Sequence, residues 1–495
     1  MKFKKVLVSA AIIASLLTVT ISAIGVRAQE QKFFFHVTCL DIPGYRTDIH
    51  EVIKERLVDI GIDYELVTMD MASVDEITLE KSTTYDEGGW DFFVQGKSMA
   101  TPSKHPQFYC KRFYTPNWWR YSNGVMDDLI EAGLEAFTFE EQKEIYDEIQ
   151  GIYLDEFPSL IFWQSVDAYM LRSDVDTGPG LSKIAGDFAY QVYYMDCPRD
   201  RLIYALPWPN TDHNPVFNIF WQGVYEPLLY CDYDGTIKPH LAESWEISDD
   251  GLTYTFHLRD DILWHDGVPF TSKDVKFTYE ADGNPETCAQ PYCYSPVSTY
   301  FDYIETPDDY TVIIHMKTPN AALLNDVFAN NWVDLVPEHC LKDIPYSDWK
   351  THEYNAGTKQ LPGLGPYVFK DYVIGEYYTF EAFADYFEGE APIKEYIYKI
   401  MPKAARDTVL VALEKGEIDF ASSFYYWTDI APESIGKEAE TGVKVEARPG
   451  GGGVTMMFNH NHPILSNKWV KKAINYAIPR EKIIEEILNG FAINH

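Results

Sequence analysis

The residues best suited to metal chemistry are two histidines in the stretch Asn459-His460-Asn461-His462. On a β-strand, His460 and His462 would project from the same face, because side chains alternate with a period of two. Two imidazoles so placed are a common pair of ligands for zinc or nickel. The same residues could instead end a strand before Pro463 without binding metal, and both interpretations stay open at this point.

Motifs for phosphate binding and hydrolysis are incomplete or missing. Gly96-Lys97-Ser98 has the ending of a phosphate-binding loop, but Asp91 stands where the loop's first glycine is required. The sequence contains neither G-x-S-x-G nor H-E-x-x-H. Paired carboxylates are expected by chance among 76 acidic residues, although they leave a glycosidase open. We predict no catalytic residue, no metal ion and no cofactor, with an exported glycosidase or metallopeptidase as the alternative.

The charge of the chain restricts its partners. Its 495 residues include 41 basic and 76 acidic side chains, a formal net charge of −35. Such a charge repels nucleic acids and anionic lipid headgroups. We therefore expect a protein that does not bind nucleic acid. We also expect a globular monomer, and the length predicts roughly three domains if a domain has ~150 residues.

The N-terminus has the pattern of an export signal. Three lysines precede an apolar stretch over 6–26, and Val26-Arg27-Ala28 fits a signal-peptidase site. The stretch approaches the ~20 residues of a membrane-spanning helix, so an uncleaved anchor is the alternative. Either way, the body is expected to be periplasmic, secreted or on the cell surface. An oxidising compartment permits disulfides, and we predict one between Cys288 and Cys293, which a short loop separates.

The elements that would position these residues alternate between strand and helix. Phe33–Leu40, Thr47–Ile60 and Ile62–Val67 predict a β-α-β unit, and Thr138 with Glu141 forms a capping box that begins a helix ending before Pro158. Further strands are predicted at Trp90–Gln95, Leu202–Leu206, Ile418–Ala421 and Val454–Asn459, and further helices at Thr408–Leu413, Ser466–Ile478 and Arg480–Leu488. The chain is therefore predicted to be α/β.

Residues 223–275 contain an unusually distinctive order of motifs. Leu252, Tyr254, Phe256 and Leu258 alternate with polar residues, which predicts a half-buried strand. The motifs are Tyr225-Glu226-Pro227-Leu228, Leu241-Ala242-Glu243-Ser244-Trp245, Asp249-Asp250-Gly251-Leu252-Thr253-Tyr254 and His265-Asp266-Gly267. In this order they resemble the family 5 solute-binding proteins, which are extracytoplasmic receptors of peptide, nickel and oligosaccharide ABC importers.

The resemblance implies a fold and a function. The fold would be of the periplasmic-binding-protein type II kind, with two α/β lobes and an extra β-rich domain. A ligand would be held between the lobes and passed to an ABC permease in the membrane. A peptide is the first expected ligand and an oligosaccharide the second. No covalent chemistry is implied, and His240, His257 and His265 are expected to be framework residues.

The family's segments occur in an unexpected order. Residues 49–172 resemble the C-terminal part of a family member, whereas 200–495 resemble its N-terminal and middle parts. This predicts a circularly permuted protein, or a fusion of partial copies, that lacks a piece of one lobe; a non-functional recombined copy is a further alternative. The predicted parts are a leader or anchor at 1–28, lobe III at 33–165, lobe I at 166–225, extra domain II at 226–355, lobe I again at 356–443, and lobe III again at 444–495.

The expected ligand contacts combine resemblance with side-chain chemistry. The resemblance places Phe424-Tyr425-Tyr426-Trp427 near the cleft, and flat aromatic faces suit sugar rings and peptide side chains alike. We add Lys97 and Ser98 at a strand end, and Asn459. The family also has a strand end at Asn459, so His460 and His462 are expected to be solvated. The glycines Gly450–Gly453 fit a hinge or a loop equally well.

One expected ligand contact is missing. Dipeptide-binding members of the family carry an aspartate shortly after a Gly-Trp pair, and its carboxylate neutralises the peptide's α-ammonium group. Here Lys97 stands at the tryptophan's place and Ala100 at the aspartate's. A methyl group cannot pair with an ammonium ion, and burying that charge unpaired costs several kcal/mol. We therefore predict a longer peptide, a blocked peptide or a neutral oligosaccharide; if an amine clamp exists, Asp429 is the candidate.

Overall fold

The computed structural model describes most of the chain. The described residues are 33–41, 47–81, 83–98, 120–178, 192–206, 223–232, 236–287, 291–329, 333–349, 351–354, 360–402, 406–422, 436–488, 490 and 492–494. The predicted leader lies outside them. Within these ranges no helix is long and apolar enough to cross a lipid bilayer.

Seventeen strands occur in the described residues. In chain order they are β1 (Phe35–Asp41), β2 (Ile62–Thr68), β3 (Phe92–Ser98), β4 (Ser159–Arg172), β5 (Arg201–Leu206), β6 (Tyr230–Cys231), β7 (Ile237–Lys238), β8 (Ala242–Ile247), β9 (Thr253–Leu258), β10 (Phe301–Asp308), β11 (Thr311–Met316), β12 (Tyr367–Val373), β13 (Tyr377–Ala382), β14 (Glu395–Ile400), β15 (Phe420–Ser422), β16 (Val443–Phe458) and β17 (Ala492–Ile493).

Helices alternate with these strands. The α-helices are α1 (Thr47–Asp59), α2 (Met71–Glu80), α3 (Gly124–Glu135), α4 (Phe139–Glu156), α5 (Ser272–Asp282), α6 (Pro291–Tyr300), α7 (Glu338–Leu341), α8 (Arg406–Glu414), α9 (Glu438–Thr441), α10 (Lys468–Ala477) and α11 (Arg480–Lys482). Short 3₁₀ segments occur at Tyr85–Glu87 and Tyr346–Asp348, and π segments at Leu324–Phe328 and Ile483–Ile487.

One large mixed sheet organises the molecule. Its order is β12-β13-β14-β5-β15-β4-β16-β3-β1-β2, and β17 also pairs with β4. The two longest strands, β4 with 14 residues and β16 with 16, lie side by side at its centre and run antiparallel. We call β1, β2 and β3 the first half-sheet and β5, β14 and β15 the second half-sheet. The predicted α/β class is confirmed.

The core beside the first half-sheet contains residues from both ends of the chain. Val37 and Phe92 pack with Met456, Ile474 and Ile484 in one buried cluster. β16 also pairs with β3 over seven residues. The first and last described segments therefore share one apolar interior. The predicted domain boundaries stay predictions.

A second core lies under a separate four-stranded antiparallel sheet of order β10-β11-β9-β8. The predicted alternation in β9 is confirmed, because Tyr254 and Phe256 are fully buried there and pack on Phe328. Phe137, from the turn between α3 and α4, packs against Tyr254 with ring centroids 6.4 Å apart. We call the part of the chain built on this sheet the β-rich unit. Phe137 thus connects it to the N-terminal segment.

Some predicted elements differ from the observed ones. The helix expected over 480–488 is α-helical only to Lys482 and continues as a π segment. Cys293 lies in α6 rather than in a loop. Cys288 and the side chain of Cys293 lie outside the described part of the chain, so their disulfide stays a prediction.

Candidate functional site

At one point along β4 and β16, the regular pairing of these two central strands is interrupted. The start of β4 pairs with Gly453–Met457 of β16, and its end pairs with Val443–Pro449. Between them the register shifts, and β17 pairs with Gln164 and Ser165 of β4 at this level. We call this level, Gln164–Val166 with Pro449–Gly453, the crossing.

Strands from both half-sheets point their carboxyl ends at the crossing. β3 ends at Ser98, opposite Gly452. β15 runs the other way along β4, ending with Ser422 opposite Tyr169 and heading towards Gln164. β1 is parallel to β3, and β5 is parallel to β15. Ligands of open α/β sheets bind outside the carboxyl ends of strands, so the crossing is the candidate ligand site.

Polar side chains tie the two long strands together around this level. The side-chain amide of Gln164 donates a hydrogen bond of 2.8 Å to the carbonyl of Gly450. The Arg448 guanidinium donates to the Tyr169 hydroxyl at 2.7 Å, and its carbon lies 5.2 Å from the centre of that ring. These contacts link β4 to β16 on both sides of the register shift, so a bend there would have to break or rearrange them.

Two of the predicted ligand residues reach the crossing. The backbones of Lys97 and Ser98 pair with Gly453 and Gly452 in adjacent strands. The aromatic group 424–427 begins shortly after the end of β15 but lies outside the described residues, as does Ala100. Ligand contacts by Phe424, Tyr425, Tyr426, Trp427, Lys97 and Ser98 stay predictions.

Asn459 occupies a different place. It lies seven residues beyond Gly452, roughly 23 Å along an extended strand. Its fully buried amide nitrogen donates to the carbonyls of Thr83 at 3.0 Å and Trp90 at 2.8 Å. This position favours a structural role for Asn459 over the predicted ligand contact.

Contrary to expectation, the two histidines after Asn459 are not solvated. The His460 Nε2 donates to the carbonyl of Pro158 at 2.8 Å, and burial lowers the pKa of His460 to about 3. His462 is buried, and its Nδ1 accepts the backbone N–H groups of Ile464 and Leu465 at 3.1 Å. Both imidazoles therefore hold a turn together.

Two other histidines are framework residues, as predicted. His240 Nε2 lies 2.9 Å from a Glu226 carboxylate oxygen inside the β-rich unit. His265 accepts the N–H of Gly363 at Nδ1 and donates from Nε2 to the carbonyl of Gly365. Burial lowers the pKa of both His240 and His265 to about 4.

Sequence reasoning missed one cluster with the residue types of a thiol hydrolase. Cys39 Sγ lies 3.9 Å from His50 Nδ1, and His50 Nε2 lies 3.3 Å from Asp41. The cluster is buried, and the Tyr64 hydroxyl forms a hydrogen bond of 2.7 Å with the same His50 Nδ1. Burial raises the pKa of the Cys39 thiol well above its usual range, which disfavours a nucleophilic thiolate. These residues form a polar network in the core.

Comparison with known proteins identifies relatives for about half of the chain. Residues 236–495 match the family described as "Bacterial extracellular solute-binding proteins, family 5 Middle". A putative ABC transporter peptide-binding protein from Brucella ovis is 32% identical over 274 residues, 55% of this chain and 49% of the relative. The oligopeptide-binding protein AppA from Bacillus subtilis is 28% identical over 271 residues, 54% and 46% of the two chains. The chain thus spans about half the length of these curated relatives.

A solved structure shows a similar extent of match. NikZ from Campylobacter jejuni, in complex with Ni(L-His), is 28% identical and has a TM-score of 0.46. The match covers 59% of this chain and 56% of that one.

Proposed function

We propose that this chain, which belongs to the bacterial extracellular solute-binding proteins of family 5, captures a peptide at the crossing and delivers it to an ABC importer. The observation that carries the proposal is the convergence of four carboxyl strand ends, those of β1, β3, β5 and β15, on the middle of β4 and β16. Among the described residues, only β4, β16 and the short β17 lie at this level, so the half-sheets could close on a ligand by bending β4 and β16.

A peptide is supported by what the relatives are named for and by the backbone at the crossing. The relatives from Brucella ovis and Bacillus subtilis are named as peptide-binding proteins. Gly450–Gly453 lack side chains, which lets a ligand backbone approach β16 closely. The place of Ala100 disfavours the usual amine clamp, so we propose a longer or N-terminally blocked peptide.

A neutral oligosaccharide is the second candidate ligand. It rests on the aromatic run Phe424–Trp427, because sugar rings stack on flat aromatic faces. Such a ligand carries no charge and therefore needs no clamp. The two candidates differ in what they demand of the site: a peptide needs backbone hydrogen bonds, whereas a sugar needs stacking.

Calorimetric titration of the purified protein can test both. The titrants are short and long peptides, each with a free and an N-acetylated terminus, and neutral oligosaccharides. We expect a long peptide to bind and acetylation to leave its affinity nearly unchanged. The replacement Trp427→Ala should weaken binding about tenfold or more, as loss of a central aromatic contact does.

Trp469→Ala is the matched control, because Trp469 is 68% exposed on α10, outside the crossing. It should bind like the parent protein. Binding that disappears on acetylation would mean that an acidic residue such as Asp429 clamps the amine. Turnover of the peptide or sugar, or affinities that Trp427→Ala leaves unchanged, would contradict the proposal.

A further inference from the structure

Among the described residues, one cluster brings together three different metal-binding side chains. Asp266, His339 and Cys340 each offer one ligand atom, and these atoms lie within 4.8 Å of one another. His339 Nε2 is 3.0 Å from an Asp266 carboxylate oxygen. The cluster lies in the β-rich half of the chain, on residues that the crossing does not use.

Two short structural elements hold these ligands. Asp266 lies in a tight turn in which Gly267 donates to the Trp264 carbonyl at 2.8 Å. Its other carboxylate oxygen accepts the N–H of Val268 at 3.2 Å, the kind of outer contact that orients a metal ligand. His339 and Cys340 follow each other in α7.

The donor set selects a class of metal. Nitrogen, oxygen and sulfur together suit zinc, whose bonds to these atoms are about 2.0–2.3 Å. Tetrahedral geometry at those lengths separates the ligand atoms by roughly 3.3–3.6 Å, so three atoms already within 4.8 Å of one another need only small side-chain adjustments. Asp266 is 40% exposed and His339 25% exposed, which gives an ion and a fourth, water ligand access from solvent.

We infer that Asp266, His339 and Cys340 bind a zinc ion that fastens the β-rich unit to the large sheet. The turn with Asp266 follows Trp264, a member of the β-rich unit's core, whereas Cys340 packs against a separate buried cluster that contains Tyr367 and Phe380 of the large sheet. The ion would therefore connect two separately packed interiors. This inference does not depend on the ligand at the crossing.

The test is zinc titration of the full chain, reduced and stripped of metal, in competition with a chromophoric chelator. Asp266→Asn, His339→Gln and Cys340→Ser should each weaken one zinc-binding step by more than about tenfold, since each removes a direct ligand. Asp266→Asn changes an exposed side chain, so it can be read even if the other two variants fold poorly.

Two control variants remove similar groups elsewhere in the β-rich unit and leave the three proposed ligands intact. His315→Gln breaks a histidine–carboxylate pair with Glu305 that involves no cysteine, and Cys231→Ser removes another thiol that is partly exposed. Both should bind zinc like the parent protein. Equal zinc affinity in all five variants, or an equal loss in the controls, would overturn the inference.

Cobalt supplies an independent readout. A Co²⁺-loaded parent protein should show a near-ultraviolet thiolate-to-metal absorption band, which Cys340→Ser abolishes and Cys231→Ser retains. Zinc should also raise the melting temperature of the parent protein, because a ligand that binds only the folded state stabilises it. A band that survives Cys340→Ser would overturn the assignment of that thiolate.

Discussion

At the scale of single residues, the chain buries several groups that would be charged in water. Lys471 on α10 is 1% exposed, and burial lowers its pKa to about 8. In the unfolded chain a lysine keeps its proton up to about pH 10.4. The folded state therefore carries a penalty for holding this charge, and the penalty is full at every pH below 8.

Lys471→Met should stabilise the protein at neutral pH. It removes the buried charge and keeps the length of the side chain, so the free energy of unfolding should rise by up to about 3 kcal/mol at pH 7. Between pH 8 and 10.5 the parent protein recovers this stability, because its folded state releases the proton before its unfolded state does. The gain should shrink below about 1 kcal/mol at pH 10. Denaturant unfolding at the two pH values measures both effects.

Lys472→Met is the control for that change. Lys472 is partly exposed, pairs with Asp155 at 3.1 Å and lies 5.0 Å from the Trp469 ring. Its removal should not stabilise the protein at either pH. A Lys471→Met variant no more stable than the parent would mean that the amine finds water or a carboxylate in the folded state.

At the scale of elements, local sequence patterns predicted helix caps, helices and strands whose limits depend on residues close together in the chain. Thr138 is the N-cap of α4, and its hydroxyl accepts the N–H of Glu141 and donates to the Glu141 carboxylate. The opening β-α-β unit occurs within one or two residues of its predicted limits. These features depend on contacts between near neighbours, which the sequence displays directly.

The crossing could not be predicted in the same way. β4 was not anticipated, because 159–172 shows no clean alternation; it pairs on both edges and is buried unevenly. β16 was predicted only from Val454 onwards, since Pro449 and four glycines resemble a break. Both strands exist because they pair with each other across nearly 300 residues of sequence, and nothing local encodes that pairing. The pairing of β3 with β16 brings the backbones of Lys97 and Ser98 to the crossing and leaves Asn459 away from it; the ligand contacts of all three stay predictions.

Between the elements, the backbone at Gly363 lies in close contact with that of Val224, a residue far away in sequence. A Cβ at Gly363 would lie 1.9 Å from the Val224 carbonyl oxygen. Gly363→Ala should therefore cost about 1–3 kcal/mol of stability, as overpacking does. Gly151→Ala is the matched change: Gly151 lies in α4, and apart from its chain neighbours and its own helix backbone no atom lies within 4 Å of the added carbon, so the variant should gain about 0.5–1 kcal/mol. Thermal denaturation of both variants distinguishes them, and similar melting temperatures would contradict the packing at Gly363.

At the scale of the whole molecule, the order of parts along the chain differs from their order in space. β3 and β4 precede the β-rich unit in sequence, and β16 follows it, yet the three strands are neighbours in one sheet. We propose that this arrangement reflects the circularly permuted order of the family's segments, with both ends of the chain building one lobe. If so, that lobe should unfold as a unit distinct from the β-rich unit, although its segments are far apart in sequence.

Ile474→Ala tests that expectation. Ile474 is fully buried on α10 and belongs to the core that contains Val37 and Phe92. Its truncation should cost about 2–5 kcal/mol and should accelerate amide exchange in β1 and β3, more than 370 residues away in sequence. Exchange in β9 and β11 should stay close to that of the parent protein, because their residues pack in a different core.

Val312→Ala in β11 provides the reverse case. Val312 is equally buried but lies in the core of the β-rich unit, so its truncation should accelerate exchange in β9 and leave β1 and β3 protected. Local opening spreads through residues that share a packed interior, and the two variants should therefore give complementary exchange maps. Faster exchange confined to α10 in the Ile474→Ala variant would show that the two ends of the chain do not depend on each other. The permuted-lobe proposal would then fail.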